Sequence, residues 1–304
     1  MKKKESKNNK IYSYIAISIT FLVMFIFVYN QFTKSLFVTS RDRINIVLYD
    51  SKPRIYSFGL RDGIHYYISF SPDTRVDVPG GYGYYRLGAL GKLVDLEKNP
   101  DIFQKAFSSA SSSFIDRYFY DPHTQSVFYG KVTEEDPPIP RITEWIKYKS
   151  DANIFDRLFI ILFMLGKRNH DFTNLLVQVS HVDTNVVLSD DEFVKSYQGY
   201  LYQKKYRDER KTIQLYYGSS YKTAVEISKI IEGEGIRVVD LTKLTKTTKE
   251  CKVVESGKEF SQTSRALSTF FHCSLIFGKT DLSDILLILS EPVEKKWEVT
   301  DGDS

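Results

Sequence analysis

The sequence predicts an α/β protein with an N-terminal transmembrane helix, a mixed α/β body domain and a small C-terminal α/β sandwich domain. Three observations support this fold class: an uncharged apolar run near the N-terminus, short β-branched and aromatic runs between turn residues, and strands that alternate with helices in the last hundred residues. Hydrophobic residues make up 42% of the 304 residues. That share supports a large core and excludes a disordered chain.

The charge of the chain is concentrated at its N-terminus. The chain has 42 Lys and Arg against 38 Asp and Glu, a net charge of +4. The segment MKKKESKNNK (1–10) contains five lysines and one glutamate, so 37 basic and 37 acidic residues remain in 11–304. A body without net charge lacks the basic face that nucleic-acid binding requires. We therefore expect no nucleic-acid partner.

The first predicted element is a transmembrane helix over residues 11–30, preceded by a basic cytoplasmic tail over residues 1–10. IYSYIAISITFLVMFIFVYN has no charged residue, and about 20 helical residues cross a bilayer core of about 30 Å. A cleaved signal peptide would have a shorter apolar run and a small-residue cleavage site, and QFTKSLF follows instead. Because lysines stay on the cytoplasmic side, we expect a single-pass protein of the cell membrane with an extracytoplasmic body.

Residues 41–210 are predicted to form the body domain, with strands in aromatic and β-branched runs and helices where apolar residues recur every three or four positions. The expected elements are strands at 44–49 and 64–70, helical segments at 91–117, 151–167 and 189–210, and short strands within 173–188. Loops are expected between the first two strands and over 71–86, and a linker over the proline-rich segment 131–141. The apolar run LFIILFML is too short to cross a bilayer, so it predicts a buried helix.

Residues 211–291 are predicted to form the C-terminal domain, followed by a tail over 292–304. Its expected elements alternate: strands at 212–217, 236–241, 251–255 and 285–291, with helices at 221–235 and 258–271. The chain has two cysteines, Cys251 and Cys273. Both a disulfide and a pair of buried free thiols agree with their positions, and the absence of a nearby Cys/His cluster argues against zinc.

Two segments resemble a known family. The C-terminal stretch is similar to the LytR C-terminal domain, with the turn YGSS (217–220) after its first strand, Ala224 in the helix and Gly235 before the next strand. The membrane-proximal part resembles the LytR–CpsA–Psr domain, through INIVLYDSKPR, ISFSPDTRVDVPGGYG and YYRLGALGK. The order of these segments, the N-terminal anchor and the appended domain agree with that family too.

The resemblance implies a function in assembly of the cell envelope. Members of the family transfer lipid-pyrophosphate-linked glycopolymers to peptidoglycan, with arginines on the pyrophosphate and aspartates on a magnesium ion. The resemblance therefore implies that Asp50 and Asp73 assist the chemistry and hold magnesium, and that Arg54, Arg75 and Arg86 bind phosphate. It also implies three kinds of partner besides the membrane: a polyprenyl-pyrophosphate glycopolymer, peptidoglycan, and a protein bound by the C-terminal domain.

An alternative function follows from a departure from the family pattern. The family has Pro-Arg-Asp-Thr, whereas here Pro72 directly precedes Asp73-Thr74 and Arg75 follows them. Loss of that arginine favours a catalytically degenerate envelope scaffold or binding module with the same fold. On this interpretation Asp50 and Asp73 are ordinary turn aspartates, which bond to neighbouring backbone amides.

Overall fold

A computed structural model describes residues 2–39, 41–123, 126–130, 139–177, 179–182, 185–280 and 282–300. It divides the chain into two compact units. The stem unit comprises Met1–Ser40 and Ala152–Gly166, and the body unit comprises Arg41–Asp151 and Lys167–Ser304. Most of the predicted linker, residues 131–138, lies outside the described residues.

The described body begins with five consecutive strands, after which helices and strands follow in mixed order. The helices are α1 (Lys2–Thr33), α2 (Leu90–Glu97), α3 (Asp101–Ser111), α4 (Ile142–Lys147), α5 (Ile154–Met164), α6 (Asp190–Tyr197), α7 (Lys204–Glu209), α8 (Tyr221–Gly233), α9 (Gln262–Phe271) and α10 (Glu291–Lys296). The strands are β1 (Arg43–Tyr49), β2 (Arg54–Gly59), β3 (His65–Ser69), β4 (Thr74–Val78), β5 (Gly83–Arg86), β6 (Arg117–Tyr120), β7 (Lys149–Ser150), β8 (Phe172–Asn174), β9 (Val179–Val182), β10 (Asn185–Leu188), β11 (Thr212–Tyr217), β12 (Arg237–Lys243), β13 (Lys252–Glu255), β14 (Ser274–Phe277) and β15 (Ile285–Ile288). The mixed α/β fold class predicted from the sequence is confirmed.

The stem unit is built around α1. Its segment Tyr12–Thr33 is a helix of 22 residues, long and apolar enough to cross a membrane, and none of it is buried. The second helix of this unit, α5, differs from its prediction. It forms where expected, but Ile154, Leu158, Leu162 and Leu165 are exposed rather than buried.

The body contains three sheets within the described residues. The first has the order β7-β6-β1-β2-β3-β8, in which β1 pairs with β6 and β3 with β8 in parallel, and the remaining pairs are antiparallel. The second has the order β5-β4-β10-β9, and the third has the order β12-β11-β15-β13-β14. Because β1 and β6 are parallel, their carboxyl ends meet at one edge of the first sheet.

The first sheet is buried on both faces. On one face α3 packs against it, with the Phe107 ring 5.6 Å from that of Phe70. On the other face Trp145 of α4 lies 4.9 Å from Phe119 and 6.1 Å from Tyr56, measured between ring centroids. Strands buried on both faces read as continuous apolar runs without alternation.

Two segments that the sequence predicted as loops are strands instead. RIYSFG forms β2 between the two predicted strands, and its residues 55–59 are all buried, so it shows no period-two pattern. TRVDV and GYYR form the hairpin β4–β5 within the segment predicted as a glycine-rich loop. Thr74, Val76 and Val78 are buried in that hairpin and alternate with half-buried residues, which is a strand pattern too short to separate from the turns around it.

The C-terminal sheet shares its hydrophobic core with earlier parts of the chain. The core formed by β11, α8 and α9 includes Phe114, which follows α3, and Tyr206 of α7. The Phe114 ring stacks on Phe270 with 4.0 Å between centroids. Two residues from before position 211 thus belong to this core, and the predicted domain boundary near 211 stays a prediction.

The ends of α3 and α8 meet in what we call the α3–α8 seam, formed by Ser112, Ser113, Phe114, Gly233 and Glu234. Glu234 Oε1 accepts hydrogen bonds from Ser113 Oγ at 2.7 Å and from the Phe114 backbone amide at 2.6 Å. A Cβ at Gly233 would lie 1.5 Å from the Ser112 carbonyl oxygen. The seam therefore requires glycine at 233 and buries the Glu234 carboxyl.

Cys251 and Cys273 form a disulfide, which decides between the two alternatives that the sequence left open. The bond joins the residue before β13 to the residue before β14, across 22 positions of sequence. Both cysteines lie in the core of the C-terminal sheet.

We expect the Cys251→Ser/Cys273→Ser double variant to lose about 3 kcal/mol of unfolding free energy, because the closed loop restricts the unfolded chain. Urea unfolding with and without a reductant measures this effect. The reductant should lower the midpoint for the natural chain and leave that of the double variant unchanged. Equal midpoints for the natural chain under both conditions would contradict the prediction.

Candidate functional site

The candidate site begins where β1 and β6 end together. Tyr49 and Tyr120 are opposite each other in the parallel register, and the backbone amide of Asp121 donates to the Tyr49 carbonyl at 3.0 Å. Asp50 and Asp121, the residues that follow the two strands, are therefore neighbours. Asp50 was predicted as a site residue from the sequence and Asp121 was not, although Asp121 follows the aromatic run RYFY.

Asp50 is held in a buried ion pair with Arg54. The Asp50 carboxylate accepts from Arg54 Nη2 at 2.9 Å and from the Lys52 backbone amide at 2.7 Å. Only 8% of Asp50 is exposed. Burial raises the pKa of this carboxyl, the Arg54 charge opposes that rise, and Asp121 adds to it. The pKa of the Asp50 carboxyl is thus raised by burial although an arginine is paired with it.

Helix α4 adds two further titratable groups to this end of the sheet. Burial raises the pKa of Glu144, with Arg54 opposing and Asp50 adding to the rise. The pKa of Tyr148 is also raised, by burial first and then by the charges of Asp50 and Glu144. The sequence carried no signal for either residue, because only the fold brings α4 to the ends of β1 and β6.

A second ion pair lies at the start of the β4–β5 hairpin. Arg86 Nη1 is 3.4 Å from Asp73 Oδ1, and its guanidinium lies 4.1 Å from the centroid of the Tyr129 ring. Asp73 Oδ2 also accepts from the Gly130 backbone amide at 3.3 Å. These contacts hold Arg86 against an aromatic ring.

Arg75 stands opposite Arg86 in the antiparallel register of β4 and β5. Side chains directly opposite each other on one face have Cβ atoms about 5 Å apart, and like charges in such a pair repel each other. Arg75 makes no ion pair within the described part of the chain. Arg86 is paired with one carboxylate, that of Asp73, which also accepts a hydrogen bond from the Gly130 amide. A phosphate bound between two such guanidinium groups would remove this repulsion.

One residue of each ion pair acts electrostatically on Tyr49. Its hydroxyl donates to the Leu87 carbonyl at 3.0 Å and accepts from the Gly91 amide at 2.7 Å. Burial raises the pKa of Tyr49, with smaller contributions from Asp50, which adds to the rise, and from Arg86, which opposes it. Asp50 and Arg86 therefore both lie within electrostatic reach of one buried phenol. All five residues predicted from the sequence belong to these two pairs or lie directly opposite one of them.

The two aspartates, for which magnesium binding was predicted, have other partners in this arrangement. Each carboxylate is already paired with an arginine and a backbone amide. No group of three His, Cys, Asp or Glu side chains in the described residues could hold a metal ion. Magnesium binding by Asp50 and Asp73 stays a prediction, and the proposed function below includes no metal-dependent step.

Two cavities lie away from these ion pairs. The larger, of about 370 Å³, is open and is bordered by α7 and the end of α8, with Arg207, Glu232 and Arg237 among its lining residues. The smaller is lined by residues of α6 and α8 together with Ser111 and Ser112. None of the five predicted site residues lines either cavity.

The chain is similar in structure to several solved proteins. These include the transcriptional regulator yvhJ from Bacillus subtilis (TM-score 0.37, 11% identity, 54% of this chain and 99% of that chain) and B. subtilis TagV (TM-score 0.37, 9% identity, 54% and 98%). A third is the LytR-CPS2A-psr family protein YwtF (TagT) with bound octaprenyl pyrophosphate lipid (TM-score 0.36, 12% identity, 53% and 90%).

The third structure carries the name of the family that the sequence resembles, in agreement with that prediction. At these TM-scores and identities the similarity supports no conclusion about activity. No protein-family model matches the chain, and no curated protein matches it at a significant level.

Proposed function

We propose that the chain is a membrane-anchored protein of the cell envelope whose body binds a polyprenyl-pyrophosphate-linked glycopolymer. The observation that carries the proposal is the pair Arg75 and Arg86, which are opposed on neighbouring strands. A pyrophosphate carries dense charge that guanidinium groups bind through paired hydrogen bonds. The glycopolymer and its lipid are the ligand that the sequence resemblance implies.

Two independent features support an extracytoplasmic position of the body. The lysine-rich segment at the start of α1, before the apolar span, favours retention of the N-terminus in the cytoplasm. The Cys251–Cys273 disulfide is typical of oxidising compartments and rare in the cytoplasm. Together they support an anchor of one span with an extracytoplasmic body, where a lipid-linked glycopolymer would be within reach.

We expect Arg75→Gln and Arg86→Gln each to weaken pyrophosphate binding about tenfold or more, because a charge-assisted hydrogen bond contributes about 1.5–3 kcal/mol. Isothermal titration of the detergent-solubilised full chain with farnesyl pyrophosphate measures this. Arg265→Gln is the matched control, since Arg265 is an exposed arginine of α9. Farnesol, which has no phosphate, should not bind through the arginines. Equal affinities for all three variants and the natural chain would contradict the proposal.

The second candidate function is transfer of the glycopolymer. It is favoured by the raised pKa of Asp50, which can take up a proton from an acceptor hydroxyl. In such a step the hydroxyl oxygen bonds to the phosphorus on the sugar side. The phosphoanhydride bond breaks, and the lipid phosphate leaves. Release of lipid phosphate by the natural chain, and its loss in Asp50→Asn with pyrophosphate binding retained, would establish transfer; binding without release leaves the binding function.

A further inference from the structure

We propose that α5 is a second membrane contact, a short helix that lies in the lipid headgroup region beside the transmembrane helix. The inference rests on the membrane-anchor part of the proposed function and goes beyond it. It assigns a lipid surface to residues for which neither the sequence nor the ligand site gives a role.

The first observation is an exposed apolar stripe along α5. Ile154, Leu158, Leu162 and Leu165 are 73%, 46%, 53% and 62% exposed. Their spacings of four, four and three positions place them on one face of the helix. The opposite side is buried, as Ile160 and Met164 show with 0% and 4% exposure. A stripe of four large aliphatic side chains in water is costly, so this face is expected to have a cover.

The second observation is that α5 is fixed to the end of α1. This position indicates that the membrane covers the apolar stripe. Asn153 Nδ2 donates to the Gln31 carbonyl at 3.1 Å, and Asp156 Oδ1 accepts from the Leu36 amide at 2.7 Å. The stripe is therefore attached where the membrane-spanning segment ends, at the level of a bilayer surface.

Aromatic contacts make this attachment apolar and rigid. The rings of Phe32 and Phe155 pack edge to face with centroids 5.4 Å apart, and those of Phe37 and Phe159 do so at 5.2 Å. Phe37 and Val38 are also partly exposed, at 42% and 47%, so apolar surface continues from the end of α1.

The length and flanks of α5 favour a helix that lies along the membrane. Its 11 residues extend about 16 Å, about half of a bilayer core. Lys34, which directly follows α1, is exposed, and Lys167 and Arg168 come soon after the end of α5. Cationic side chains next to an apolar helical face are typical of interfacial helices that bind anionic lipid.

The disulfide makes a clean labelling experiment possible. Because both natural cysteines are bonded to each other, a cysteine introduced elsewhere is the reactive thiol for a nitroxide label. The full chain is reconstituted into phosphatidylcholine–phosphatidylglycerol vesicles, and relaxation of the label by oxygen and by a water-soluble nickel complex is measured. Labels at Leu158→Cys and Leu162→Cys test the stripe, Met24→Cys tests the anchor, and Glu259→Cys is the aqueous control.

We expect the two α5 labels to be relaxed more by oxygen than by nickel, at a shallower depth than the Met24 label. The control label should be relaxed mainly by nickel. Nickel-accessible α5 labels with a lipid-embedded Met24 label would overturn this inference and leave the anchor intact, whereas aqueous labels at all positions would overturn both. Shielding of the α5 labels from both reagents, with spin–spin broadening, would show a second copy of the chain as the cover and also overturn the inference.

Discussion

Replacing Gly233 with alanine is expected to lower the melting temperature of the body by roughly 6–12 °C. The new Cβ would lie 1.5 Å from the Ser112 carbonyl oxygen and 2.8 Å from its carbon, both backbone atoms. If the clashing atoms belonged to a side chain, that side chain could rotate away. Because they are backbone atoms, the α3–α8 seam would have to open instead. Overpacking of this kind costs about 3 kcal/mol, and in a unit of this size 1 kcal/mol shifts the melting temperature by about 2–4 °C.

The matched control is Gly166→Ala. A Cβ at Gly166 meets no atom within 4 Å, and alanine has a higher helix propensity than glycine in any helical context. Calorimetry of the two variants separates the clash from the general effect of exchanging glycine for alanine. A Gly233→Ala variant as stable as Gly166→Ala would contradict the close approach of α3 and α8.

The seam shows why the domain organisation is hard to predict from sequence. Strands alternate with helices from Thr212 onward, so local patterns indicate a separate C-terminal sandwich, and the elements β11, α8, β12, β13, α9 and β15 do form there. The contacts of Glu234 with Ser113 and Phe114 join residues about 120 positions apart. Such contacts depend on tertiary packing. The local periodicity of apolar residues predicts helices and strands but not contacts between distant residues.

Among the strands, β1 and β11 were predicted from the sequence, and β2 and β14 were missed. INIVLY and TIQLYY are apolar runs with polar ends and form β1 and β11. RIYSFG, which forms β2, follows Pro53 and contains no alternation, since one face of its sheet meets α3 and the other meets Trp145. SLIF, which forms β14, is too short to separate from the end of α9.

The acidic and basic residues of the candidate site could be proposed from the sequence, but the ion pairs that they form could not. Asp50 and Asp73 each follow a strand, and that position made both candidates. Their partners, Arg54 and Arg86, lie four and thirteen positions further along the chain. The importance of Asp121 depends on the parallel pairing of β1 and β6, which brings together residues 71 positions apart. Parallel pairing requires a crossover connection, so nearby sequence does not indicate it.

The second large effect is a loss of stability as pH rises, and it arises at Glu234. Burial raises the pKa of this carboxyl to about 7 from its ordinary 4.5, although the bonds from Ser113 and Phe114 and the charges of Arg41 and Lys205 oppose the rise. Its other oxygen, Oε2, is buried and has no hydrogen-bond partner among the residues that the structure describes. The folded state therefore binds a proton more tightly than the unfolded state does. Stability is greatest below about pH 4.5 for this group and falls until about pH 7, by about 3 kcal/mol.

Glu234→Gln isolates this contribution, because the amide stays neutral at every pH and its oxygen can still accept from Ser113 and Phe114. We expect the variant and the natural chain to have similar unfolding free energies at pH 5, and the variant to be more stable by about 2–3 kcal/mol at pH 8. Urea unfolding across this range measures the difference. Glu291→Gln, at an exposed glutamate of α10, is the control and should shift neither end of the profile. Other buried carboxyls titrate alike in all three proteins, so they cancel in the comparison. A difference between Glu234→Gln and the natural chain that is independent of pH would mean that Glu234 stays charged when folded, in which case Arg41 and Lys205 outweigh its burial.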